Sequence, residues 1–332
     1  MVHGWARCVK VASAALTARP PPWRLHRPIS CSGAVEIVKR AGMRLVGLTT
    51  VFIASLWLGA GNVRAAPALW VVKSGDTTVY LFGTVHVAKS GIPWETPAIA
   101  QALRESQDLW LEEIDDAPAT AQPLIKTLGT DPEHPLSTKL SPADLARVDS
   151  AAKSAGFPGG EATLEPMRPW LAAVSLAIVP IIQAGYDPKL GADVTLKAEA
   201  EAQKKRTHGF ESLEQQMHFF GDLPQAVEVE FLQSTLDEVD EGPAKVDELY
   251  SAWSSGDLKT MDELFSDLTQ EKYHDLYDVL IVRRNHAWAD QIASWLSGKK
   301  ATIFVAVGAG HFTGTDALQK LLEQHGLRVE RR

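Results

Sequence analysis

Two tetrapeptides of the form Gly-x-x-His, Gly83-Thr84-Val85-His86 and Gly308-Ala309-Gly310-His311, stand more than 200 residues apart, and each closes an apolar run of strand character. A histidine just past a strand, on residues small enough to keep the backbone narrow, suits ligand binding. Two of them predict one shared site. Carboxylates occur in the same setting: Glu113 and Asp115 follow Leu109-Trp110-Leu111, and Glu211 follows Arg206–Phe210. Two imidazoles and a carboxylate suit a divalent cation that keeps open positions and activates water. Strand alternation places Glu112 and Glu113 on opposite faces, so one of the two faces the site, and Asp115 shares the face of Glu113. Glu211 also reads as a helix-start carboxylate favoured by the macrodipole. Arg283-Arg284-Asn285 interrupts an apolar stretch between Leu280 and Trp288. A guanidinium there either clamps a carboxylate of the substrate or the site, or lies on an exposed helix face beside Asp278 or Asp290. His134, His208, His218, His274, His286 and His325 lack a comparable setting and read as surface or structural residues. HExxH, GxSxG and Walker patterns are absent.

The elements that must position these residues alternate. Strands are expected at 68–73 and 77–82, paired around Ser74-Gly75-Asp76, and at 108–114, 206–210, 302–307 and 327–331. Helical patterns begin at Thr96-Pro97, Ser141-Pro142, Pro169 and Gly191, fill 211–297, and return at 315–325. This order predicts an α/β fold: a central mixed β-sheet flanked by helices, with a large helical insertion between the sheet strands. Ligands of open α/β sheets gather beyond the carboxyl ends of the strands. His86, Glu113, Glu211 and His311 reach one rim if their strands run parallel. Pro169–Ala184 is almost wholly apolar, but its length and the internal Pro180 fit a buried helix better than a membrane span.

The first 66 residues differ in kind. Residues 1–42 read as a disordered extension or a mis-assigned start. Residues 43–66 have a basic start, the uncharged run 45–61 and small residues around Ala65 and Ala66, which is the pattern of a cleaved secretory signal. An uncleaved anchor over 45–61 is the rival reading. Export, to the periplasm, follows from the first reading, with no stable membrane span left after cleavage. The first 66 residues hold nine Lys/Arg and one Asp/Glu, so residues 67–332, the expected domain, carry 24 basic and 40 acidic residues, near −16. That charge argues against a nucleic-acid partner. Cys8 and Cys31 both precede residue 67, so a thiolate ligand or Cys nucleophile is excluded from the remainder.

Taken in order, Leu81–His86, Glu113-Ile114-Asp115, Arg168-Pro169-Trp170, Gly191-Ala192-Asp193, Gly209-Phe210-Glu211-Ser212, Trp253 with Gly256-Asp257, Arg284-Asn285 and Gly308–His311 resemble the TraB/GumN family, relatives of the Tiki proteins, from about Leu69 to the C-terminus. The resemblance implies a metal-dependent peptidase acting outside the cell or at its surface. It implies His86, Glu113 and His311 as the catalytic core and metal ligands, with Arg284 and Glu211 in support. The cation would be Mn, Co or Zn, and Glu113 a ligand or the general base. One departure is Gly209-Phe210-Glu211-Ser212, where the family has Leu before the Glu and Thr after it. The expectation is an exported metal-dependent hydrolase acting on a peptide or small molecule. A metal-independent esterase-like hydrolase and a non-catalytic peptide- or ligand-binding protein are the alternatives.

Overall fold

The strands form where β-branched and aromatic residues run between turn residues. The computed structural model describes residues 66–114, 118–265, 274–298 and 300–332. The expected extension 1–42, the signal segment through residue 65, and Asp115 lie outside the described residues. The strands are β1 (Leu69–Ser74), β2 (Thr77–Thr84), β3 (Asp108–Glu113), β4 (Arg206–Glu211), β5 (Thr302–Gly308) and β6 (Val329–Arg331). They make one mixed sheet in the order β4-β3-β5-β2-β1-β6. β2, β3, β4 and β5 are mutually parallel, while β1 runs antiparallel to both β2 and β6. The four strands that lead to the candidate residues therefore end on one rim. β2 and β5 are neighbours with Gly83 opposite Val307 and Thr84 opposite Gly308, which starts the two Gly-x-x-His motifs side by side.

The helices are α1 (Pro97–Glu105), α2 (Pro118–Gly129), α3 (Pro142–Ser154), α4 (Pro169–Gln183), α5 (Ala192–Ala202), α6 (Leu213–Gly221), α7 (Gln225–Glu238), α8 (Gly242–Ser255), α9 (Leu258–Phe265), α10 (His274–Tyr277), α11 (Arg283–Leu296) and α12 (Leu318–Gln324). Thr96 and Ser141 cap α1 and α3, with Pro following each cap. The expected insertion is split by β4 into a block before it and a block after it. A π-turn, Asp278–Val282, joins α10 to α11.

Strand alternation sorts the sheet into two faces. Val71, Tyr80, Phe82, Leu109, Leu111, Phe304 and Ala306 pack with α1, α5 and α8. Trp70, Val72, Val79, Leu81, Ile303, Val305 and Val307 pack with α11 and α12. A second helical core gathers α3, α4, α6 and α7. Its centre is the apolar α4, buried along nearly its whole length. No described helix is long and apolar enough to cross a membrane.

Candidate functional site

Just past β2, His86 turns its Nδ1 to Asp193 Oδ2 of α5, 3.1 Å away. Past β5 the chain folds into a 3-10 turn, Ala309–Phe312, that carries His311. Gly83 permits that turn, because a Cβ there would lie 3.0 Å from Ala309 Cα. His311 is fully buried against the indole of Trp288, with ring centroids 4.5 Å apart. Its Nδ1 lies 2.6 Å from Asn285 Oδ1 on α11.

Between the two imidazoles stands Glu112. Its Oε1 is 3.8 Å from Nε2 of His86 and 3.8 Å from Nε2 of His311. The same oxygen accepts the Gly308 N–H at 2.7 Å. Its other oxygen accepts from Arg284 Nη2 at 2.6 Å. Arg284 donates further to both oxygens of Glu211, at 2.8 and 2.9 Å, and through Nη1 to the Leu280 carbonyl at 3.0 Å. Nη1 also lies 3.3 Å from His311 Nε2. The guanidinium is thus buried and bidentate, the arrangement for which Arg is suited and Lys is not. Burial works against its charge, yet Glu112 and Glu211 together raise its pKa above the ordinary value. Burial and then the nearby Arg284 charge lower His311 to about 3, so its imidazole is neutral.

The structure brings His86, His311, Arg284 and Glu211 together and adds Glu112 between them. Glu113 is buried at the same strand end, but on the face of Leu109 and Leu111 that packs toward α5, whereas Glu112 faces α11. Arg283, next to Arg284 in the chain, lies on the exposed surface and pairs with Asp278.

The TraB/PrgY/gumN family model matches residues 68–331. The chain belongs to this family. It is 23% identical over 274 residues to the uncharacterized protein YbaP of Escherichia coli (strain K12), across 81% of this chain and 97% of that protein. The YbaP of Shigella flexneri matches to the same extent, 23% over 274 residues. No solved structure matches.

Within this TraB/PrgY/gumN chain the matched segments divide into two kinds. Arg168-Pro169-Trp170 builds the helical core: Arg168 ion-pairs with the buried Glu228 and donates to the Leu128 and Gly221 carbonyls at 3.0 and 2.7 Å. Gly191-Ala192-Asp193 and Arg284-Asn285 meet the two histidines. The departures around Glu211 keep their local roles. Ser212 caps α6 in a capping box with Gln215, and Phe210 stacks on Trp288 at 5.0 Å.

Buried Glu112, Glu113 and Asp193, together with Glu211, bring several carboxylates to a rim whose buried guanidinium is Arg284. Charge of that balance in a desolvated site favours a bound cation or retained protons. Among the described residues, however, no group of three or more His, Cys, Asp or Glu side chains is arranged as a ready metal cage. Arg284 holds one Glu112 oxygen and stands against His311 Nε2.

Proposed function

We propose that this protein is an exported, metal-dependent hydrolase, most simply a peptidase, with its reaction centre at His86, Glu112 and His311. The observation that supports this reading is the approach of both imidazole Nε2 atoms to one Glu112 oxygen, 3.8 Å from each. Two imidazoles and a carboxylate are the donor set of hydrolytic divalent sites. His86 and His311 would hold the cation, with Glu112 or its neighbour Glu113 as the third ligand or the base. When bound, such a cation lowers the pKa of water and polarises a carbonyl. Arg284 orients Glu112 through the 2.6 Å bond to its Oε2 and is itself held by Glu211 and the Leu280 carbonyl. The carboxylate that serves as the base would accept the proton released by the attacking water. Export rests on the signal pattern of residues 43–66.

The contact between Arg284 and His311 favours a second reading, a metal-independent hydrolase in which a histidine and Glu112 move the proton.

Elemental analysis of the purified protein separates the two. The first reading expects near-stoichiometric metal, lost in His86→Ala and His311→Ala, together with cleavage of a peptide library that chelator stops. Chelator-resistant cleavage by metal-free protein rejects the metal. Glu112→Gln is expected to abolish turnover, and Glu113→Gln, altered on the opposite face, to have the smaller effect.

A further inference from the structure

Each site histidine is gripped from behind at Nδ1. The gripping groups come from distant parts of the chain, 107 and 26 residues away. The geometry around them fixes which ring nitrogen carries the hydrogen.

Asn285 gives the sharper case. Its Nδ2 donates to the His311 carbonyl at 3.1 Å and to the Asp316 carbonyl at 2.7 Å. Carbonyls only accept, so the NH2 end of the amide belongs on that side. Oδ1 is then the atom 2.6 Å from His311 Nδ1, and it needs an N–H there. A second contact agrees. Arg284 Nη1 stands 3.3 Å from His311 Nε2, and a guanidinium has donors only, so Nε2 turns a lone pair toward it.

At His86 the grip is a carboxylate. Asp193 Oδ2 lies 3.1 Å from Nδ1, and a carboxylate oxygen there accepts from an Nδ1–H. The approach is built into the start of α5. The Ala192 N–H donates to the Val85 carbonyl at 2.8 Å, which docks this turn on the backbone beside His86. Gly191 allows the contact, because a Cβ would lie 2.6 Å from the His86 carbonyl oxygen and 2.5 Å from Asp193 Oδ1.

We infer that Asp193 and Asn285 are positioning residues that hold both histidines in the Nδ1–H tautomer and present their Nε2 lone pairs on the side of Glu112. In the opposite tautomer both Nε2 atoms would carry hydrogen toward Glu112, and neither could bind a cation or take a proton. A partner on the far nitrogen of this kind orients ligating histidines generally. The consequence for turnover rests on the proposed function above, but the tautomers are readable without any turnover.

The test is the ring nitrogen spectrum of the 15N-histidine-labelled protein, recorded with and without chelator. Both rings are expected to show a protonated, pyrrole-type Nδ1 in either condition, because a cation on Nε2 leaves Nδ1–H in place. Asp193→Ala is expected to move His86 toward the Nε2–H tautomer and leave His311 unchanged. Asp193→Asn, whose amide oxygen still accepts, is expected to keep the original signal. Asn285→Ala is expected to move His311 alone. A wild-type spectrum with Nε2–H dominant in either ring overturns the inference and requires no variant to fold. An unmoved His86 signal in folded Asp193→Ala overturns the role of Asp193. Loss of metal or of hydrolysis with the tautomers as stated counts against the proposed function alone.

Discussion

Glu112 divides its two oxygens between backbone and charge. Oε1 takes the Gly308 N–H and faces both imidazoles, while Oε2 takes Arg284. The carboxylate therefore ties the end of β5 to α11 and sets the spacing of the histidines. His311 shows what this buried setting does to a titrating group. Its pKa falls to about 3 because burial and Arg284 disfavour the imidazolium, against the opposing pull of Glu112. An unfolded histidine titrates near about 6.5. The unfolded chain thus binds the proton first, so this contribution to stability is complete above about 6.5 and is lost as the pH falls toward the folded value. Between about pH 7 and pH 5 the loss is about 2 kcal/mol from this group. Urea unfolding across that range is expected to show it, and His311→Gln is expected to flatten the dependence. An equally steep profile in a folded His311→Gln would assign the effect elsewhere.

At the scale of elements, the site depends on close backbone approaches that only small residues permit. The neighbouring β2 and β5 place the two motifs together, and Gly83 lets the turn carrying His311 fold over the sheet end. The π-turn before α11 leaves the Leu280 carbonyl accepting from Arg284. α5 is seated through Gly191, where a methyl group would meet the backbone oxygen of His86. Gly191→Ala is therefore expected to cost about 1–3 kcal/mol, the range for overpacking a closed contact. Gly242→Ala, at a position with nothing within 4 Å of the added carbon, is expected to be neutral or stabilising by about 0.4–1 kcal/mol. Paired denaturation curves check both, and equal effects would remove the significance given to the seat of α5. The strands and both Gly-x-x-His motifs were legible because apolar runs and turn residues are local signals. Arg283-Arg284 stood out as charge inside an apolar helical stretch, and the family resemblance selected Arg284. The choice between Glu112 and Glu113 was not legible. Alternation separates their faces, but the side that receives α11 is a tertiary fact. Asp193 and Asn285 were visible only as members of the family-like motifs Gly191-Ala192-Asp193 and Arg284-Asn285, since nothing in their spacing announces a contact with a histidine.

Over the whole molecule, as at the site, acidic groups outnumber basic ones. Residues 67–332 carry 24 basic and 40 acidic side chains, near −16. Self-repulsion of that size works against a compact state. Surface pairs such as Lys153–Asp149 and Lys259–Glu263 lie in reach of solvent, and pairs of this kind contribute little each. Salt weakens these attractions and the general repulsion together, whereas the buried Arg284–Glu112–Glu211 cluster is screened much less. Repulsion summed over the surface exceeds the scattered pairs, so added salt is expected to stabilise the protein. Raising sodium chloride from about 0.02 to about 0.5 M shortens the Debye length from tens of ångströms to a few. A rise in Tm of about 2–4 °C, corresponding to about 1 kcal/mol for a chain of this size, is the expected result. Differential scanning fluorimetry of residues 67–332 at neutral pH measures it. A falling Tm would mean that the surface pairs outweigh the net charge, and the acidic surface would then need a different physical role.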